Sequence, residues 1–134
     1  MAEACSQHYI LRTALMYGIT ADDTPGSFLS WNAGKPGNGE AVQLYTDQFR
    51  MPLYAPDMAA VIEGLLFRHA PYGVYHCAGP ERLNRHDIGI GIAKSFGLNT
   101  ALMQRSALGK VDYTSLRTEK LVAATGMRFT SFEA

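Results

Sequence analysis

The spacing of apolar positions changes along the chain, and each change marks an element. Tyr9-Ile10-Leu11-Arg12-Thr13, running on to Leu15-Met16-Tyr17-Gly18, is an almost unbroken apolar stretch closed by glycine, the pattern of a strand buried on both faces. Such a strand needs neighbours on each side, and the rest of the chain offers few runs of the same kind. The pattern therefore predicts a chain that begins in the middle of a sheet. Ala41-Val42-Gln43-Leu44-Tyr45 alternates apolar and polar, which predicts a strand with one buried face. Met58, Val61, Ile62, Leu65 and Leu66 recur at three- and four-residue spacing behind Pro56 and Asp57, which suit a helix start. His69, Pro71 and Gly73 stop that helix, and Gly73 to Gly79 reads as a short strand closed by Gly79-Pro80.

Weaker signals fill the remainder. Ala2 to Ser6 has the length of one helical turn, and Ile19 to Gly26 is a loop by its turn residues. Ser27 to about Gly34 predicts a short helix carrying Phe28, Leu29 and Trp31, ended by Gly34, Pro36, Gly37 and Gly39. Asn84 with Asp87 approximates a capping box, opening a helix whose buried stripe is Ile88, Ile92 and Phe96 and whose stop is Gly97. Gly89 and Gly91 weaken it by roughly 1 kcal/mol each, so it must depend on tertiary packing. Leu116 to Thr125, closed by Gly126, predicts a last short helix with Leu121 and Val122 inward. The elements together are α/β, in a single domain over residues 1–134.

Composition narrows the function classes. The chain is 47% apolar and 18% charged, which is globular, and its 12 acidic residues balance 12 basic ones. No net field draws nucleic acid or an anionic membrane, and the basic residues are scattered, so neither is expected as a partner. No apolar run approaches the roughly 18 residues of a membrane span, and Met1 to Gln7 lacks a signal-peptide pattern. Cys5 and Cys77 stand apart with no CxxC pair, as reduced thiols in the cytoplasm would.

Most reaction classes leave no trace. There is no Walker-type loop, no strand followed by GxGxxG, no HExxH and no paired-His spacing, so neither a phosphate cradle nor a metal site is expected. Gly34-Lys35-Pro36-Gly37-Asn38-Gly39 precedes a strand and reads as a loop; His8, His69, His76 and His86 are isolated. No catalytic residue is therefore assigned. One segment stands out, from Tyr45 to Asp57, where Asp47, Gln48 and Arg50 fall within four positions between a strand and the strongest helix. Loops at strand ends on a rigid scaffold are where ligands bind, and an amide beside a guanidinium reads sugar hydroxyls or a phosphate. The alternative is an ordinary turn in which Asp47 caps and Arg50 is solvated.

The order of these segments resembles one family. Tyr9 to Thr13 through Tyr17-Gly18, then Asp47-Gln48 with Pro52, then Asp57-Met58-Ala59, then Gly73-Val74-Tyr75-His76 with Gly79, matches the extended short-chain dehydrogenases, in their dTDP-4-dehydrorhamnose reductase (RmlD-like) branch. Arg85 to Phe96 and Asp112 to Leu121 resemble the family's ending. The resemblance implies the C-terminal part of an NAD(P)-binding Rossmann-type fold with a small α/β substrate-binding subdomain. The N-terminal Rossmann half and the catalytic Tyr-x-x-x-Lys would lie before Tyr9, with Glu3 just past that lysine.

By the same resemblance Thr13, Ala14 and Leu15 would lie near the nicotinamide. Tyr17, Gln48, Arg50 and Pro52 would line the sugar side, with Arg12 a packing or ion-pair residue. NAD(P) would be bound by a full-length relative and not by this chain alone. The partner would be a nucleotide-sugar, with self-association or a partner enzyme as further possibilities. Two departures stand out: Phe49-Arg50-Met51-Pro52 where the family's reductases carry Gly-Ser-Pro-Thr, and Lys110-Val111-Asp112 where many carry Arg-Pro. The reading is therefore the substrate-binding portion of a sugar-nucleotide reductase or epimerase. The alternative is a non-catalytic relative that binds a partner enzyme, as the β subunit of methionine adenosyltransferase does.

Overall fold

The computed structural model describes residues 6–18 and 28–132. The loop expected over Ile19–Gly26, and all but the end of the turn expected over Ala2–Ser6, lie outside the described residues. Strand β1 (Tyr9–Thr13) pairs in parallel with β6 (Gly73–Cys77), Tyr9 opposite Gly73 and Thr13 opposite Cys77. Parallel strands need a long connection. Everything from β2 (Met16–Tyr17) through α1 (Phe28–Gly37), β3 (Val42–Tyr45), β4 (Gln48–Arg50), β5 (Leu53–Tyr54) and α2 (Ala55–Phe67) lies between the two. After β6 come β7 (Leu83–Asn84), α3 (Arg85–Ser95), a 3-10 turn (Thr100–Leu102), β8 (Met103–Ser106), β9 (Asp112–Tyr113) and α4 (Glu119–Thr125).

Two cores result. Val61 and Leu65 of α2 pack with Leu53, Tyr75, Cys77 and Leu121 into one fully buried cluster, and Val42, Leu44, Ala93 and Met103 form a second between α3 and the β3–β8 parallel pair. Each fully buried aliphatic side chain contributes about 1.5–3 kcal/mol, so clusters of this size carry most of the stability. Gly89 makes the second core possible: a Cβ there would overlap the Leu44 side chain, so the glycine that weakens α3 also lets it lie close on β3. Asn84 caps α3 as its spacing predicts, accepting 2.8 Å from the Asp87 N–H. Gly97 (φ 65°) and Gly126 (φ 66°) end α3 and α4 in the left-handed region.

Several expectations need correction. β1 is not buried on both faces: Tyr9, Ile10 and Leu11 are half-buried, Arg12 and Thr13 are exposed, and β6 is its sole partner among the described residues. An apolar run encodes a strand but not the number of its neighbours. Helix α1 runs on through Gly34 and Pro36 to Gly37, where the sequence predicts a stop at Gly34 and a loop beyond it. The turn is instead closed by Gly39 (φ 80°), with the Asn38 N–H bonded to Gly34 and Lys35. On α2 the stripe splits. Met58, Val61 and Leu65 face the core, while Ile62 (45% exposed) and Leu66 (55%) lie on a shoulder that nothing covers among the described residues. Phe96 (49%), the residue just past the end of α3, and Val122 (38%), in the middle of α4, are likewise exposed. Thr125 takes the inward place expected for Val122, its hydroxyl satisfied by Leu121 O at 2.8 Å.

Candidate functional site

The sequence-derived candidates fall on three neighbouring places. Thr13, Ala14 and Leu15 leave β1 at the C-terminal end of the parallel pair, the end where α/β sheets bind ligands. The Ala14 N–H donates to Cys77 O (2.8 Å) and Leu15 O accepts from the Leu53 N–H (2.8 Å), so both are already engaged. Thr13 is exposed. Arg12, expected to pack or pair, is exposed at the strand.

Tyr17 lines a cleft of about 380 Å³ with Tyr54, Leu29, Ile92, Phe96 and Phe132. Its ring meets Phe132 edge-on at 5.0 Å and Tyr54 at 5.5 Å. Burial, then the carboxylates of Asp57 and Glu81, push the Tyr17 phenol above its ordinary value. Those same carboxylates tie down the 130–132 segment. Asp57 accepts from the Thr130 N–H (2.7 Å) and hydroxyl (3.0 Å), and Glu81 from the Phe132 N–H (2.7 Å) and the Ser131 hydroxyl.

Gln48 and Arg50 lie elsewhere, on the three-stranded sheet in which β4 pairs antiparallel with β7 and parallel with β9. Arg50 donates to Phe49 O (2.7 Å) and forms an ion pair with Asp112 of β9 (3.0 Å). It is therefore half-buried and paired, not the solvated residue of the ordinary-turn alternative. Asp47 does cap: one carboxylate oxygen accepts from the Leu108 (2.7 Å) and Gly109 (2.9 Å) N–H groups, while its buried Oδ1 has no partner. Gln48 accepts from Arg85 (3.4 Å).

Pro52 is fully buried, so its ring presents no surface to a ligand; its carbonyl sits against Gly79 so closely that no Cβ fits between them. Its place is structural, locking the segment after β4 onto the end of β6. The four residues expected on the sugar side are thus not brought into one pocket. Tyr17 is in the aromatic cleft, Gln48 and Arg50 are on the small sheet, and Pro52 is buried near β5.

The fold adds residues that spacing alone did not single out. Arg82 lies 5.7 Å from the Phe49 ring centre and 5.2 Å from that of Tyr113, two rings stacked 5.1 Å apart. Arg85 has its guanidinium held below the ordinary range, first by burial and next by the like charge of Arg50. Arg50, Arg82 and Arg85 therefore gather at one sheet, with Asp112 the carboxylate in ion-pair contact among the described residues. Glu81-Arg82-Leu83-Asn84-Arg85, two arginines flanking a helix cap, was the sequence signal available for them. Cys77 is inert in this setting, burial pushing its thiol up to about 11. Among the described residues no three His, Cys, Asp or Glu side chains gather as a metal site, and no helix is long and apolar enough to cross a membrane.

The sequence profile of the RmlD substrate binding domain matches residues 1–133. The chain belongs to that family. It is 29% identical over 113 residues to the probable low-salt glycan biosynthesis reductase Agl14 of Haloferax volcanii, covering 83% of this chain and 37% of that protein. In fold, this RmlD-type domain is similar to the dTDP-4-dehydrorhamnose reductase of Bacillus anthracis, solved in complex with NADP, with a TM-score of 0.82 at 18% identity over 98% of this chain and 46% of that one. The dTDP-glucose 4,6-dehydratase of the same organism, solved with NAD, gives a TM-score of 0.74 at 17% identity over 93% of this chain and 40% of that one. The RmlD-type chain thus spans less than half the length of each of these relatives, and its α/β fold is that of the Rossmann-type reductases over the matched part.

Proposed function

We propose that this chain binds the nucleotide-sugar for an NAD(P)-dependent reductase or epimerase and does not reduce it unaided. The observation that carries this is the gathering of Arg50, Arg82 and Arg85 on the small sheet, beside the stacked rings of Phe49 and Tyr113. Planar guanidiniums match phosphate oxygens two at a time, and a diphosphate supplies the charge that this like-charged cluster lacks. Gln48, already a hydrogen-bond partner of Arg85, is placed to read a hydroxyl next to the phosphate.

Tyr17 and the aromatic cleft supply an apolar wall farther along β2. Thr13, Ala14 and Leu15 would form one side of the nicotinamide site. With the Ala14 N–H and Leu15 O already bonded, their contribution is surface and the Thr13 hydroxyl, which fits a wall and not a phosphate cradle. NAD(P), when bound, supplies the hydride. The proton donor and the cradle for the dinucleotide belong to residues outside the ones assigned here. β1, whose one partner among the described residues is β6, would offer its other edge as a seat for a further parallel strand carrying them.

Calorimetric titration with dTDP tests the reading. Arg50→Ala should weaken binding by about tenfold to a hundredfold, the loss of one charge-assisted contact. The melting temperature should change little, because the Arg50–Asp112 pair is partly solvated and contributes little to folding. Equal affinity in parent and variant would remove Arg50 from the site, and an absence of dTDP binding in the parent would end the proposal.

A further inference from the structure

We propose that the Asp112 carboxylate is an internal stand-in for the ligand's phosphate, so that only a group carrying more negative charge than a carboxylate takes Arg50 from it. This rests on the phosphate-site reading above and adds a selectivity device to it. The contacts of the three arginines point to Asp112. Its Oδ2 holds Arg50 Nη2 at 3.0 Å, the contact a phosphate oxygen would make, while Nη1 is spent on Phe49 O at 2.7 Å. Arg50 is already neutralised by Asp112, whereas among the described residues Arg82 lies over two ring faces and Arg85 donates to a neutral amide, neither of them in an ion pair.

The element that carries the carboxylate is short and lies near the surface. β9 is two residues long, and the 107–111 segment leading into it is exposed throughout. Besides its two-residue ladder with β4 and the stacking of Tyr113 on Phe49, β9 is flanked by the Asp112 N–H to Asp47 O bond at 2.8 Å and by the Thr114 N–H and hydroxyl to Phe49 O at 3.4 and 3.1 Å. The pair itself is partly solvated, with side-chain exposures of 21% and 36%, so exchange of one anion for another there is cheap.

The consequence is a charge threshold. A neutral sugar hydroxyl cannot displace a carboxylate from a guanidinium. A diphosphate brings more charge and more acceptor oxygens, and it also satisfies Arg82 and Arg85, which Asp112 leaves without an anion. Binding then swaps partners at Arg50 and frees β9 to move.

The test is titration of the full chain with dTDP, comparing the parent, Asp112→Asn and Asp112→Glu. With the competing charge removed, Asp112→Asn should bind dTDP at least about threefold more tightly, and Asp112→Glu should return toward the parent. Unchanged or weaker binding in Asp112→Asn, with the parent still binding dTDP, overturns the stand-in while leaving the phosphate site intact. No binding in parent or variant overturns both. Should Asp112→Asn not fold, the Asp112 carboxyl carbon resonance of the parent decides the matter. It should move during the dTDP titration with the same dissociation constant that calorimetry reads, and a carboxyl signal that stays fixed to saturation refutes the exchange.

Discussion

Replacing Gly79 by alanine places a methyl group where Pro52 already is. The added Cβ would overlap Pro52 O and come within 2.9 Å of Pro52 C and 3.7 Å of Leu53 N. All three are backbone atoms, so no side-chain rotation relieves the clash. The segment cannot back away freely either. Pro52 and Leu53 are fully buried, and the Leu53 N–H donates to Leu15 O at 2.8 Å.

Overpacking of this kind costs about 1–3 kcal/mol, and straining the Leu15–Leu53 hydrogen bond adds about 0.5–1.5 kcal/mol. Against this stands a gain of about 0.4–1 kcal/mol from the stiffer unfolded chain. The net expectation is a loss of about 0.5–4 kcal/mol, centred near 2 and a large share of what a small domain possesses. Urea denaturation reads it as a fall in midpoint at constant slope. The matched control is Gly34→Ala, inside α1 with open space around the position, which should stabilise by about 0.5–1 kcal/mol. Because the Pro52 segment sets the exit of β4, Gly79→Ala should also weaken dTDP binding. A Gly79→Ala midpoint indistinguishable from the parent's would show that Pro52 does not lock onto β6 as described.

Two further outcomes follow from the chemistry of single groups. In a Cys5→Ser background, Cys77 should resist an alkylating or disulfide reagent at pH 8 until the protein is unfolded, since burial raises its thiol to about 11 and leaves on the order of a thousandth of it ionised. Prompt labelling of the native protein would contradict its burial. With NADPH and a 4-keto sugar nucleotide, the chain alone should give no absorbance loss at 340 nm above background, and turnover at ordinary enzyme rates would refute the division of labour proposed here.

The legible parts of the fold were those dictated by local chemistry. Asn84 and Asp87 announced a cap, Gly97 and Gly126 announced stops, and Val42 and Leu44 announced a buried face, because each depends on its own few residues. The misread parts depend on what lies across space. Ile62, Leu66, Phe96 and Val122 are apolar at helical spacing, yet spacing fixes only a face, and packing decides how wide that face is. The double burial expected of β1 failed for the same reason. At the site, Gln48 and Arg50 were visible as a dense polar loop. Arg82, Arg85 and Asp112 were not, because nothing local brings residues more than thirty positions away onto β4. Pro52 was visible too, but its burial and the approach of its carbonyl to Gly79 were not.

The small sheet has one more consequence, for the order of events during folding. Its strands are two or three residues long and come from positions 48–50, 83–84 and 112–113, so no two can meet before the chain between them is gathered in. Closing such loops costs entropy that a handful of ladder hydrogen bonds barely returns. The two apolar clusters, whose burial offsets that cost, are expected to condense before the guanidinium sheet, and the sheet to open before them. A bound nucleotide diphosphate would therefore act as a late-stage staple, slowing unfolding far more than it hastens folding.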